Sequence, residues 1–261
     1  MKEGKVWLVG AGPGEASLIT VKGLHCLRHA DVIIHDRLIN HELILCAPPG
    51  CKVVDVGKVK NSHPVPQNEI NTLLVKYGLA GKHVVRLKGG DPYVFGRGGE
   101  EAECLAQAGV DFEVIPGISS AIGGMAYAGI PVTHRDYASS FHVVTGHMCE
   151  GNKPQDWHAL AALKGTLIIL MGIGHLSEII RLLLEGGKSP DVPAAIITDA
   201  SLPNQRVVTA TLATLSEKAI NNTLKSPALI VIGDVVNLHQ ALAFGTTHFD
   251  ITQAASLAAL L

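Results

Sequence analysis

The chain has 261 residues, of which 47% are apolar and 17% charged, enough apolar material for two compact α/β domains or one large one. A formal charge of -2 and an aromatic content of 4% exclude a nucleic-acid surface built from basic stripes and stacking platforms. No apolar run is long enough to span a bilayer and no basic-then-apolar signal segment opens the chain, so the cytoplasm is the expected compartment and no membrane partner is expected.

In chain order, residues 5–9 read as a short apolar strand ended by Gly10-Ala11-Gly12-Pro13-Gly14, and residues 18–29 carry apolar side chains at helical spacing with Ser17 or Thr20 available as a cap. A dinucleotide fingerprint would need glycine where Glu15 stands and free backbone N–H groups for a pyrophosphate; Pro13 removes one donor and Glu15 adds an anion. The loop therefore suits a neutral or cationic ligand. His25 and His29 stand four apart on the helix, but no Glu follows His25 as a metalloprotease helix requires, and the five cysteines are scattered, so no metal is expected.

A second strand over residues 32–35 delivers Asp36-Arg37-Leu38 at its carboxyl end, and a third over residues 52–56 delivers Gly57-Lys58. In a nicotinamide enzyme Asp36 would read a ribose, and that reading stays open beside a catalytic one. A helix over residues 67–77, a strand over 83–87, a helix over 99–108 and a strand over 111–115 follow. This alternation predicts a mostly parallel sheet with right-handed crossovers. After the fourth strand, Gly89-Gly90-Asp91-Pro92 halts regular structure, either as a plain tight turn or as a ligand loop at a strand's carboxyl end.

Residues 119–128 form a helix of small side chains suited to close packing on a neighbour or a ligand. Strands are expected over residues 141–145, 166–171, 194–198, 205–210 and 228–233, the fourth with a short connection that allows antiparallel pairing. Helices are expected over 157–163, 176–185 and 215–221, and residues 251–261 read as a packing helix or a dimer contact.

Collected, these loops resemble the uroporphyrinogen-III C-methyltransferases within the tetrapyrrole methylase family. The resemblance rests on the glycine loop at 9–14, Asp36-Arg37-Leu38, Val56-Gly57-Lys58, the run from Arg86 to Pro92, Phe95 to Glu101, Pro116 to Ala121, Thr133-His134-Arg135-Asp136 and Val144 to His147. It implies two α/β domains, over residues 1–117 and 118–261, with the cofactor in the cleft between them, and a homodimer. It also implies methyl transfer from S-adenosylmethionine to two ring carbons of uroporphyrinogen III, giving precorrin-2 for sirohaem or cobalamin and S-adenosylhomocysteine as product. Carried over by motif, the cofactor contacts are Pro13, Gly89, Gly90, Asp91, Val94, Ser119, Ser120, Met171 and Ala200, with Asp36 as proton acceptor and Lys58 as proton donor. Ser119, His35 and Ala200 depart from the Thr, Tyr and Gly common in the family. The chain also lacks room for the dehydrogenase and chelatase half of fused sirohaem synthases, so a single-function transferase is expected.

The residues suit that chemistry. A sulfonium methyl is already reactive, so the protein has chiefly to align a carbon nucleophile and exclude water. Attack leaves a cationic ring system that must lose a proton, a task for a strand-end carboxylate such as Asp36. The alternative for Asp36 is a salt bridge to a nearby Arg or Lys, which its loop position disfavours. A polycarboxylate substrate predicts a basic cleft, with Arg37, Arg97 and Arg135 as substrate contacts and Lys60, Arg86 and Lys88 nearby. Lys58 fits proton donor or carboxylate anchor equally.

Overall fold

The computed structural model describes residues 4–57, 65–147, 155–245 and Ile251. These fall into two compact units, one within Met1–Ser119 together with His248–Leu261 and the other within Ser120–Thr247.

The first unit is built on β1 (Lys5–Gly10), β2 (Val32–His35), β3 (Lys52–Asp55), β4 (His83–Lys88) and β5 (Phe112–Ile115), in the order β3-β2-β4-β1-β5. Every pairing in it is parallel, as the strand–helix alternation predicts. Because side chains alternate across a strand, each apolar run supplies two cores. Val9, Ile33, Val85, Leu87 and Ile115 meet Cys26 and Leu27 of α1 (Val21–Arg28) on one face. Val6, Leu8, Ile34 and Val84 meet Ile70 and Leu74 of α2 (Gln67–Leu79) and Ala102 and Leu105 of α3 (Gly98–Gln107) on the other.

The α1 helix starts at Val21, three residues later than its apolar spacing predicts. The Thr20 hydroxyl accepts the Gly23 N–H at 3.0 Å and fixes the cap there, while Ser17 Oγ donates to Glu15 instead. Ile251 is buried in the α1-side core; the rest of the predicted C-terminal helix lies outside the described residues.

The ends of β1, β4 and β5 meet at backbone distance. Ala11 N donates to Lys88 O at 2.7 Å, Gly90 N to Gly12 O at 2.7 Å, and Gly12 N to Gly90 O at 3.2 Å. A Cβ placed on Gly117 would stand 2.3 Å from Gly90 O and 2.7 Å from Gly10 Cα. Only glycine fits there, because the obstructing atoms are backbone and cannot rotate away.

The second unit carries β6 (Phe141–Thr145), β7 (Thr166–Leu170), β8 (Pro193–Thr198), β9 (Arg206–Thr211) and β10 (Ala228–Ile232), in the order β6-β7-β10-β8-β9. Only β6 and β7 pair in parallel; β10 runs antiparallel to β7 and β8, and β9 antiparallel to β8. One face is covered by α5 (Trp157–Ala162), α6 (Leu176–Glu185) and α7 (Leu215–Asn221), and the other by α4 (Ser120–Tyr127) with Val235 and Val236. The small residues of α4 serve contact with this sheet: a Cβ on Gly124 would lie 2.9 Å from the Ala200 Cβ and 2.8 Å from Leu229 Cδ2.

The strand-end contact gives a direct test. Gly117→Ala should lower the stability of the first unit by about 2 kcal/mol or more, since the new methyl meets backbone that has no rotamer to yield. A melting temperature equal to that of the unsubstituted protein would show that the loops part without cost.

Candidate functional site

In the first unit the carboxyl ends of β1, β2 and β4 bring Pro13, Asp36, Arg37, Gly89, Gly90, Asp91 and Val94 into neighbouring loops. The two glycine segments hold each other through the paired Gly12 and Gly90 bonds, so those N–H groups are spent on carbonyl oxygens. Asp91 ties the assembly together. Its Oδ1 accepts the Tyr93 N–H at 2.8 Å, a tight local turn, and its Oδ2 accepts the Gly117 N–H at 2.9 Å, across from β5. The loop then carries two non-glycine residues in left-handed backbone, Phe95 (φ 53°) and Arg97 (φ 57°), on either side of Gly96. Tyr93, Val94 and Phe95 present exposed apolar surface.

Asp36 is not a free strand-end carboxylate: the salt bridge that its loop position seemed to disfavour is present. Arg86 NH2 donates to Asp36 Oδ1, and Lys88 Nζ lies 3.9 Å from Asp36 Oδ2. Arg86 and Lys88 are also a correction to the expected cleft lining, since both are buried, at 1% and 2% exposure. They project from β4 on the Val84 face, under α2 and α3, where Glu101 meets them. Glu101 Oε1 accepts Arg86 Nε at 2.9 Å, Lys88 Nζ at 3.0 Å and Gln67 Nε2 at 3.1 Å.

Two cations thus stand between an interior carboxylate and one that is 35% exposed in its side chain. Burial works against the Arg86 charge, but the Asp36 and Glu101 carboxylates outweigh it and hold the guanidinium's pKa above its ordinary value. Lys88 goes the other way: burial and then the Arg86 charge push its ammonium below the ordinary lysine range, more than its two carboxylates restore.

The predicted substrate arginines are all exposed. Arg97 grips Glu100 through two bonds of 2.8 and 2.7 Å, so a substrate carboxylate would have to displace that partner. Lys58 and Lys60 lie outside the described residues.

In the second unit, strand register gathers the other predicted contacts. Leu170 pairs with Leu229, and Leu229 and Ala228 pair with Ile197 and Thr198, so β7 and β8 end side by side across the start of β10. Met171 and Ala200 therefore occupy the same end of the sheet. Met171 is half exposed rather than a core residue, and its backbone is left-handed (φ 56°). Ala200 is buried between two more left-handed residues, Asp199 (φ 49°) and Ser201 (φ 63°). Ser120 opens α4, which packs on Ala200, and Ser119 closes the first unit. Arg135 sits in the exposed turn closed by the His134 and Ala138 backbone bonds.

What the sequence reading missed is the joint burial of Arg86, Lys88 and Glu101. The available signal was a pair of cations two apart in an otherwise apolar strand, with paired acids opening the next helix. The Asp91 contacts are testable here: Asp91→Asn keeps one accepting oxygen for two backbone donors and should destabilise the first unit by about 1–3 kcal/mol, read by denaturant unfolding.

Comparison with known proteins places this geometry. The family model described as tetrapyrrole (corrin/porphyrin) methylases matches residues 5–216. The chain is 50% identical to uroporphyrinogen-III C-methyltransferase of Bacillus subtilis over 92% of this chain and 93% of that protein. It is 48% identical to siroheme synthase of Nitrosomonas europaea over 92% of its own length and 51% of that protein's, so it spans about half the length of that relative. Among solved structures, uroporphyrin-III C-methyltransferase of Thermus thermophilus complexed with S-adenosylhomocysteine superposes with a TM-score of 0.78 at 40% identity, covering 90% of this chain and 99% of that one. Two α/β units, glycine-bound strand ends and these matches together make the chain a member of the tetrapyrrole methylase family.

Proposed function

We propose that the protein transfers methyl groups from S-adenosylmethionine to two ring carbons of uroporphyrinogen III, giving precorrin-2 for sirohaem or cobalamin. The observation that carries this reading is the 50% identity to a uroporphyrinogen-III C-methyltransferase across nearly the full length of both chains.

The site residues fit such a donor. A nucleotide pyrophosphate needs free N–H groups, and here Gly12 and Gly90 spend theirs on each other. S-adenosylmethionine carries no phosphate and brings a positive sulfonium, so that spent backbone is no obstacle to it. We assign its binding to Pro13, Gly89, Gly90, Asp91, Val94 and Ser119 of the first unit and Ser120, Met171 and Ala200 of the second. The donor supplies an electrophilic methyl group; the protein's own part is alignment, exclusion of water and removal of a proton. Left-handed backbone at Met171, Asp199 and Ser201 supports a preset binding surface.

Asp36 accepts the proton that the cationic ring system releases. Its partial exposure supports this role, since the side chain is held by Arg86 yet remains about a third exposed, at 35%. Lys58 returns a proton or anchors a carboxylate, and Arg37, Arg97 and Arg135 orient the polycarboxylate substrate through bidentate contacts. Family membership supports a cytoplasmic homodimer as the working form.

Anaerobic incubation with uroporphyrinogen III and methyl-labelled S-adenosylmethionine should add two labelled methyl groups to the tetrapyrrole by mass spectrometry. Methylation of later precorrins alone would overturn the substrate assignment. Asp36→Ala should lower turnover by about a hundredfold or more while S-adenosylmethionine still binds; undiminished turnover would remove Asp36 from the mechanism.

A further inference from the structure

Among the described residues Glu101 is the most enclosed charge of the first unit, at 0% exposure in the first turn of α3. One of its oxygens takes three donors, and Oε2 has no hydrogen-bond partner among the described residues. For stability alone this is a poor use of a core position. Buried ion clusters rarely outperform apolar side chains of equal volume, and an unsatisfied carboxylate oxygen adds to the cost. What the carboxylate does achieve is positional: the two cations it grips are the same two that reach Asp36.

We propose that Glu101 is a positioning residue for the methyl transfer, which, through Arg86 and Lys88, fixes the direction of the Asp36 carboxylate and the charge that surrounds it. The proposal rests on the reading of Asp36 as proton acceptor. With Arg86 and Lys88 charged, the four groups are neutral as a set, so Asp36 feels cations that Glu101 already half compensates.

The other groups around Asp36 are less direct. From its own strand, the buried His35 donates Nδ1–H to the Asp36 carbonyl at 2.9 Å and meets the His41 ring edge-on. Asp55 at the end of β3 spends Oδ1 on the Gly57 N–H, Arg37 is exposed beside it, and Glu100 on α3 is held by Arg97.

The signs follow from charge. Removing the negative charge in Glu101→Gln lets the cations bear harder on Asp36 and moves the acid limb of the kcat profile to lower pH. Removing the positive charge in Lys88→Met does the reverse and moves that limb to higher pH. In Glu101→Gln, kcat should fall about tenfold, with KM for the tetrapyrrole and S-adenosylmethionine affinity held within about twofold. The double variant Glu101→Gln with Lys88→Met is neutral again around Asp36 and Arg86. It should bring the limb back toward its original position, and it serves as the test should a single variant fail to fold.

The experiment is the pH dependence of kcat for these variants in the full chain, with Asp36→Asn beside them. Opposite limb shifts in the two single variants, cancelled in the double, establish the proposal. An unmoved limb in folded variants, with Asp36→Asn inactive, overturns it and leaves the proton-acceptor reading standing. A changed KM at constant kcat overturns it too, by making Glu101 a matter of substrate fit. Full turnover in Asp36→Asn overturns both readings together.

Discussion

One oxygen atom, Glu101 Oε1, receives hydrogen bonds from two elements at once, the end of β4 and the start of α2, while its own residue opens α3. That convergence constrains the first unit. Arg86 and Lys88 reach the same acceptor only because they are two apart on a strand and so share a face. Glu101 lies in the first helical turn, where the N-terminal end of the helix dipole favours a carboxylate. The turn begins at Arg97, held in left-handed backbone, which is what brings the chain round from the loop in time to place Glu101 under the sheet. Asp36, outermost of the four charges, takes its position from cations that are themselves held from inside.

The glycine segments obey a second constraint, of space rather than charge. Gly10, Gly90 and Gly117 lie so close that added Cβ atoms on Gly10 or Gly117 would fall between 2.3 and 2.8 Å from neighbouring backbone. Their spacing invites comparison with phosphate-binding loops, which also need glycine for close approach. The hydrogen bonds separate the two cases. A phosphate loop leaves its N–H groups pointing at the ligand, whereas here the Gly12 and Gly90 N–H groups are paired across the two loops and the Gly117 N–H goes to Asp91. Glycine in this unit brings protein backbone to protein backbone.

Much of this was legible in the sequence because apolar runs and turn residues are local signals. The ten strands among the described residues fall where their β-branched runs and glycine breaks put them, to within a residue or so at each end. The late start of α1 was less legible, since the choice between Ser17 and Thr20 as cap depends on which hydroxyl finds a backbone donor. Depth was hardly legible at all. Arg86 and Lys88 border a polar loop in sequence, and a cation beside such a loop reads as surface; only the packing of α2 and α3 on that face buries them. The same blindness made the Asp36 ion pair look improbable, because its partner sits fifty residues away on a strand two-dimensional reasoning cannot place beside it. Strand direction in the second unit was partly hidden as well. Alternation of strands and helices suggests parallel pairing, yet β10 enters between β7 and β8 against both.

Backbone strain recurs in the strand-end loops of each unit taken by itself. Of the six non-glycine residues with positive φ among the described residues, five lie in loops that follow strands: Phe95 and Arg97 after β4, Met171 after β7, Asp199 and Ser201 after β8. Each such residue costs on the order of 1 kcal/mol or more and persists only where its surroundings over-determine it. Around Ala200 the determinants are visible: the Ser201 N–H is held by Gln205 at 2.7 Å, and Gln205 in turn donates to the Tyr127 carbonyl at 2.9 Å at the end of α4. A loop clamped from both sides in unfavourable backbone is not one that forms its shape on meeting a ligand. The strain is therefore an argument for loops already set before anything binds, which is what the proposed methyl transfer needs, since that reaction asks little beyond alignment.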